Sequence, residues 1–88
     1  MTVHLEIRGK VQEVFFRATA RKVAEKNSLR GWIKNKSNGN VEAVVTGKKE
    51  EVNTFIDWCK QGPENAIVDD VVIKSLEEIT FKKFSVER

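Results

Sequence analysis

Residues 3–9 read Val3-His4-Leu5-Glu6-Ile7-Arg8-Gly9, with apolar and polar side chains in alternation. This alternation predicts a β-strand that has one apolar face and ends at the glycine. Farther along, the apolar residues take the spacing of a helix face: Phe16, Ala20, Val23 and Ala24. We expect this helix to stop at Asn27 and Ser28, with Asn27 as its left-handed cap. The chain therefore begins with a strand followed by a helix.

Two short strands and a tight turn follow the first helix. We predict one strand around Trp32 and Ile33 and another over residues 41–46, where alternate residues are apolar. The four residues between them predict a hairpin turn, because Asn-Gly tolerates positive φ: Ser37-Asn38-Gly39-Asn40.

A second helix and further strands complete the pattern. Apolar residues recur at intervals of three and four, which predicts an amphipathic helix over residues about 49–60: Val52, Phe55, Ile56 and Cys59. The segment from Val68 to Ile73 favours a strand, and Phe81, Phe84 and Val86 indicate a last short one. This order is a split βαβ pair. It predicts a ferredoxin-like α+β fold, a βαββαβ sandwich with an antiparallel sheet and both helices on one face.

Length and composition limit the class of protein. The 88 residues predict one domain over residues 1–88. Sixteen Lys and Arg against thirteen Asp and Glu give a net charge of +3, which suits small anionic ligands and does not by itself imply nucleic acid. No apolar run is long enough to span a membrane, and the N-terminus lacks a signal-peptide pattern. We therefore expect a cytoplasmic protein, monomeric by default, with no membrane or nucleic-acid partner.

The counts of cysteine and histidine restrict the chemistry further. A single cysteine, Cys59, rules out an internal disulfide. With one histidine, His4, the chain lacks the ligands of a usual zinc site, so we expect no metal. His4 is better interpreted as a solvated residue of the sheet face than as a catalytic base. Cys59 lies on an apolar helix stripe, which favours a buried thiol over a nucleophile.

The segment between the first strand and the first helix carries the candidate chemistry. It reads Gly9-Lys10-Val11-Gln12-Glu13-Val14-Phe15-Phe16-Arg17. A loop that enters a helix N-terminus gathers unpaired backbone N–H groups, which together with the helix dipole favour an anion. Arg17 lies in the first helical turn, where its guanidinium could hold two phosphate oxygens at once. The alternative is an ordinary strand-to-helix loop with a solvated arginine.

Two blocks of the sequence resemble the acylphosphatase family. Six residues of the loop match the family signature G-x-V-Q-G-V-x-F-R: Gly9, Val11, Gln12, Val14, Phe16 and Arg17. The block from Leu29 to Asn35 resembles the family's G-L-x-G-W-V-x-N, and residues 38–42 resemble the D-G-x-V-E hairpin that follows it. The resemblance covers nearly the whole chain, and it implies the same ferredoxin-like fold.

The resemblance also implies an activity and a set of site residues. The family hydrolyses the carboxyl-phosphate anhydride of acyl phosphates to a carboxylate and inorganic phosphate, without a metal or cofactor. Carried over by position, Arg17 binds the phosphate and Asn35 positions the attacking water. The loop supplies further backbone N–H donors to the phosphate from these residues: Val11, Gln12, Glu13, Val14 and Phe15.

Two residues depart from the family pattern. Glu13 stands where the family usually has its second loop glycine, which indicates a positive φ that costs another residue about 1 kcal/mol or more. Its carboxylate would also repel a phosphate, so we expect activity weakened about tenfold or more rather than abolished. Ser28 replaces the first glycine of the second block. We assign it no functional consequence, because Asn27 can take the left-handed cap.

Two other functions stay open at this point. One is an acylphosphatase-like module that binds phosphate or carbamoyl phosphate, with catalysis weak or lost owing to Glu13. The other is an RNA-binding ferredoxin-like domain, which would stack bases on aromatic residues of the central strands. The predicted open face of those strands has no aromatic pair, and this disfavours RNA: His4, Glu6, Arg8, Glu42, Val44 and Thr46.

Overall fold

Five strands and two helices follow one another in the predicted order in a computed structural model that describes residues 1–88. They are β1 (Thr2–Lys10), α1 (Phe16–Lys26), β2 (Arg30–Asn35), β3 (Val41–Thr46), α2 (Lys49–Gln61), β4 (Ile67–Leu76) and β5 (Phe84–Glu87). Phe81 lies outside the last strand, which is shorter than its apolar residues indicated. Neither helix is both long enough and apolar enough to cross a lipid bilayer.

The strands form one sheet in the order β4-β1-β3-β2-β5. β1 pairs antiparallel with β3 and β4, and β3 pairs antiparallel with β2, which confirms the ferredoxin-like fold. The additional strand β5 pairs parallel with β2, so the whole sheet is mixed rather than antiparallel throughout. The reason is geometric, because the last residue of β4 and the first residue of β2 lie at the same end of the sheet. After residues 77–83 cross that end of the sheet, β5 starts beside Gly31 and runs in the direction of β2.

Both helices pack on one face of the sheet over a core of 18 buried residues. Val3, Leu5 and Ile7 of β1 point into it and are fully buried. Each helix contributes an apolar stripe of buried residues: Phe16, Ala20 and Ala24 from α1, and Val52, Phe55, Ile56 and Cys59 from α2. Burial of one large apolar side chain stabilises the fold by about 1.5–3 kcal/mol. A slip of one residue would expose the buried face of a strand, so this core fixes the register of the central strands.

A β-bulge ends the regular pairing of β1 just before the loop. The register between β1 and β4 shifts between Arg8 and Gly9. Gly9 has a φ of +132°, and a Cβ at this position would collide with the carbonyl oxygen of Ile67. Only glycine fits so close to the neighbouring strand, and Lys10 still pairs with Ile67, so β1 ends one residue later than the sequence predicted.

The C-terminus of α1 differs from the prediction that Asn27 is the left-handed residue. Asn27 has φ −99°, and Ser28 has the left-handed φ of 57°. The N–H of Ser28 donates to the carbonyl of Glu25 and that of Leu29 donates to the carbonyl of Ala24, which is the Schellman pattern. This pattern requires the left-handed conformation one residue beyond the cap. Ser28 therefore adopts the conformation that the family's glycine would take more easily.

Candidate functional site

The backbone alternates between two conformations in the loop from β1 to α1. Glu13 has φ 62° and Phe15 has φ 63°, while Gln12, Val14 and Phe16 have no positive φ. The value at Glu13 confirms the positive φ that the missing glycine indicated, whereas no sequence signal predicted the one at Phe15. Alternation between right- and left-handed residues directs successive N–H groups into one concavity, an arrangement called a nest that binds anions.

The N–H groups of this segment are free to act as donors. None of residues 11–18 donates its backbone N–H to another backbone group. The last three of them form the first turn of α1, where a helix always leaves N–H groups unpaired. The helix dipole adds partial positive charge at the same place. The loop and the helix N-terminus together therefore suit an anion with several oxygens, such as a phosphate.

Three buried apolar side chains pack this loop against the core. Val11, Val14 and Phe16 are buried beneath it, with exposures of 1 %, 8 % and 2 %. Glu13 and Phe15 point away from the core, and Phe15 is 79 % exposed. The two left-handed residues are thus the two solvent-facing ones. The burial on either side of them holds the strained backbone in place.

The loop, Arg17 and Asn35 line one open pocket of about 370 Å³. Arg17 lies in the first turn of α1 and Asn35 is the last residue of β2. Arg17 Nη1 donates to the backbone oxygen of Glu87 at 2.8 Å, which fixes one edge of the guanidinium. The structure therefore brings together most of the site residues predicted from the sequence: Val11, Glu13, Phe15, Arg17 and Asn35. The side chains of Gln12 and Val14 do not line this pocket.

Gln12 has a role that the sequence did not indicate. Its Nε2 donates to the backbone oxygens of Lys36 and Asn40, at 2.7 and 2.9 Å. These two acceptors flank the turn between β2 and β3, and Lys36 directly follows Asn35. Gln12 thereby connects the loop to the turn beside Asn35 and positions the two halves of the site relative to each other. Its presence in the family signature is the signal that could have pointed to this role.

A polar network supports that turn from the open face of the sheet. Glu6 of β1 accepts hydrogen bonds from Lys36 Nζ at 2.8 Å and from Asn40 Nδ2 at 2.7 Å. These bonds favour the ionised carboxylate and lower the pKa of Glu6 from 4.5 to about 2, with the bond from Lys36 as the largest cause. The bond to Glu6 in turn raises the pKa of Lys36 above its ordinary value. Glu6, Lys36, Asn40 and Gln12 form one connected chain of contacts from the sheet to the loop.

His4 and Cys59 both lie away from this pocket. His4 Nε2 is 2.7 Å from Glu42 Oε2 on the open face of the sheet, where its ring is partly exposed. Cys59 is fully buried in the core, and burial raises the pKa of its thiol well above the ordinary value. Their positions agree with the interpretation of both as residues without a role in the chemistry of the loop.

Comparison with known proteins assigns this arrangement to a family. The acylphosphatase family model matches residues 3–86 of the chain. The chain belongs to the acylphosphatase family. An acylphosphatase from Syntrophus aciditrophicus is 55 % identical over 67 residues, which are 76 % of this chain and 70 % of that protein. The structure of an acylphosphatase from Coxiella burnetii is 37 % identical, with a TM-score of 0.94 over 98 % of this chain and 90 % of that chain.

These similarities support an acylphosphatase, a hydrolase, as the class of enzyme. The fold is also similar to part of a larger protein. Full-length HypF, solved in a phosphate- and nucleotide-bound form, matches 99 % of this chain at 27 % identity, with a TM-score of 0.88. The match covers 12 % of the HypF chain. An acylphosphatase-like unit therefore occurs both as most of a small protein and as a small part of a large one.

Proposed function

We propose that the protein hydrolyses the carboxyl-phosphate anhydride of small-molecule acyl phosphates in the pocket between the loop and α1. The observation that carries this proposal is the joint position of Arg17 and Asn35 in one pocket, next to a loop with unpaired N–H groups. Arg17 and the N–H groups of residues 11–15 bind the phosphate. Asn35 positions the water, because its amide can accept from a water proton and donate to the water oxygen.

The reaction requires few groups because the substrate is already activated. The water oxygen bonds to phosphorus while the bond from phosphorus to the acyl oxygen breaks, and a carboxylate leaves with that electron pair. The proton of the water passes to a phosphate oxygen of the substrate itself. Negative charge gathers on the equatorial phosphate oxygens, where Arg17 and the N–H groups stabilise it. Inorganic phosphate and a carboxylate are the products, and no step uses a metal or a cofactor.

A second candidate is a module that binds phosphate or carbamoyl phosphate with weak or lost catalysis. The observation that favours it is Glu13, an exposed acidic residue that lines the same pocket. At about 5 Å and an effective dielectric constant of about 20, its repulsion of a phosphate charge would be about 3 kcal/mol. Solvent screening lowers that figure for an exposed side chain. We therefore favour a weakened enzyme over an inactive one.

The proposal takes the protein as a cytoplasmic monomer without nucleic-acid or membrane partners. Four pairing side chains occupy the open face of the sheet, where an RNA-binding domain would present aromatic rings: His4 with Glu42, and Glu6 with Lys36. Trp32 is the one aromatic residue of the central strands β1, β2 and β3. Size-exclusion chromatography with light scattering tests the monomer directly.

Hydrolysis of benzoyl phosphate by the purified protein, with EDTA present, tests the function. We expect turnover in the wild type and in Arg8→Ala, a control that removes an exposed arginine outside the pocket. Arg17→Ala should lose both turnover and the binding of inorganic phosphate, measured by isothermal titration calorimetry. Asn35→Ala should lose turnover but keep phosphate binding. No turnover by the wild type with Arg17-dependent phosphate binding would favour the binding module, and neither turnover nor phosphate binding would reject both candidates.

A further inference from the structure

A second groove adjoins the proposed phosphate site. It has a volume of about 460 Å³ and lies between α1 and β5, lined by Ala18, Arg21, Lys22, Glu25 and Val86. Ala18 and Val86 also line the pocket of Arg17 and Asn35, so the two concavities meet at these side chains. Asn35 lines only the first of them. The groove therefore adjoins the phosphate pocket without including the residue that would hold the water.

The groove combines an apolar floor with a positive rim. Ala18 and Val86 supply the floor, and Val86 is 37 % exposed although it is apolar. Arg21 Nε donates to Glu25 Oε2 at 3.2 Å, so these two rim charges largely offset each other. Lys22 takes part in none of the ion pairs of the protein. One uncompensated cation thus remains at the rim.

The direction of the groove fits the requirement of an in-line displacement. The acyl group must leave from the side of phosphorus opposite the attacking water. The phosphate would sit at the N-terminus of α1, and the groove runs from there along the helix. Lys22 is four residues beyond Ala18, on the same face and about 6 Å farther along the axis. An acyl group that extends from the phosphate over Ala18 would reach the ammonium group of Lys22.

We propose that this groove is the acyl subsite and that it selects acyl phosphates with a second negative charge at the far end of a short acyl group. This inference rests on the proposed function of the adjoining pocket. The carbon atoms of the acyl group contact Ala18 and Val86, and the distal anion, such as a carboxylate, pairs with Lys22. Acyl phosphates with a neutral acyl group contact the same two apolar side chains but form no ion pair with Lys22.

The test compares 4-carboxybenzoyl phosphate with benzoyl phosphate, two rigid substrates that differ by one distal carboxylate. We expect kcat/KM of the wild type to be about two- to fivefold higher for the carboxylated substrate, the range of an exposed ion pair. Lys22→Gln should abolish this preference, and Lys22→Glu should reverse it. Lys49→Glu makes the same change in net charge at the start of α2, outside both concavities, and should keep the preference.

Three outcomes separate the acyl subsite from the hydrolytic function on which it rests. A preference that disappears in Lys22→Gln and persists in Lys49→Glu supports the subsite. Equal kcat/KM for both substrates, or the same response in Lys22→Glu and Lys49→Glu, overturns the subsite while the hydrolytic function stands. No turnover of either substrate by the wild type rejects the proposed function, and the subsite with it.

Discussion

Glu6→Gln is expected to weaken the turn beside Asn35 through the loss of one carboxylate charge. Glu6 accepts hydrogen bonds from Lys36 and Asn40, and its side chain is only 15 % exposed. The fall of its pKa from 4.5 to about 2 corresponds to about 3 kcal/mol in favour of the ionised form in the folded protein. Lys36 is about one-third exposed, so solvent screening reduces the effect. We expect Glu6→Gln to lower the free energy of unfolding by about 1–2 kcal/mol at pH 7.

The same pKa sets the pH range in which this stabilisation disappears. The folded-state pKa of Glu6 lies below its unfolded value, so ionised Glu6 stabilises the fold fully above pH 4.5. The contribution is lost as the pH falls from 4.5 through about 2. Other carboxylates also titrate there, so the measured quantity is the difference in unfolding free energy between wild type and Glu6→Gln. That difference should be about 1–2 kcal/mol at pH 6 and close to zero at pH 2.

Urea unfolding followed by tryptophan fluorescence at pH 6, 4, 3 and 2 measures this difference. Glu64→Gln is the matched control, because Glu64 is exposed in the loop after α2 and forms no ion pair. It should differ from the wild type by less than about 0.5 kcal/mol at every pH. A gap between wild type and Glu6→Gln that stays constant from pH 6 to pH 2 would refute the reasoning, since the contact would then not depend on the charge of Glu6.

The loop and the end of α1 can be tested by substitutions at three positions and a pH profile. Glu13→Gly and Glu13→Gln should each raise kcat/KM for benzoyl phosphate about tenfold, because each removes the carboxylate charge, and only Glu13→Gly should also raise the free energy of unfolding through relief of the left-handed backbone; unchanged or lower activity in both contradicts this. Gln12→Ala should lower the free energy of unfolding by about 1–2 kcal/mol in urea and reduce kcat, because two backbone oxygens lose their donor. Ser28→Gly should raise the unfolding free energy by about 0.5 kcal/mol with unchanged kcat/KM, since the relief of left-handed strain exceeds the added chain entropy. The hydrolysis rate should stay within about twofold from pH 5 to 7.5, because the proposed scheme uses no side chain as a general acid or base, and a steep bell would contradict the proposed roles.

The helices and strands are predictable because apolar residues recur along each of them with the period of a helix or of a strand. β1 alternates strictly, and the apolar stripe of α2 recurs at helical spacing, so both were predicted nearly to their observed bounds. The residues of the proposed site were found for a different reason. Arg17 and Asn35 stand in two blocks that resemble a family pattern, and no periodicity of the sequence alone would have placed them in one pocket.

Other features of the structure depend on contacts that no local sequence pattern predicts. The parallel pairing of β5 follows from the end of the sheet at which β4 finishes, which is a property of the assembled fold. The left-handed residue after α1 is Ser28 rather than Asn27, because the Schellman bonds and not residue preference select the position. The contacts of Glu6 with Lys36 and Asn40 join residues about 30 positions apart in the chain. A local sequence pattern cannot indicate contacts between residues so far apart in the chain.

The loop illustrates how a phosphate-binding shape can persist without its usual glycine. The left-handed conformations of Glu13 and Phe15 cost about 1–2 kcal/mol each. Burial of Val11, Val14 and Phe16 contributes about 1.5–3 kcal/mol for each side chain, which exceeds that cost. The alternation of buried and exposed residues, rather than glycine, therefore specifies the backbone of this loop. It follows that Glu13 affects the substrate through the charge of its carboxylate and costs folding stability through its strain, while the N–H donors of the loop keep their arrangement.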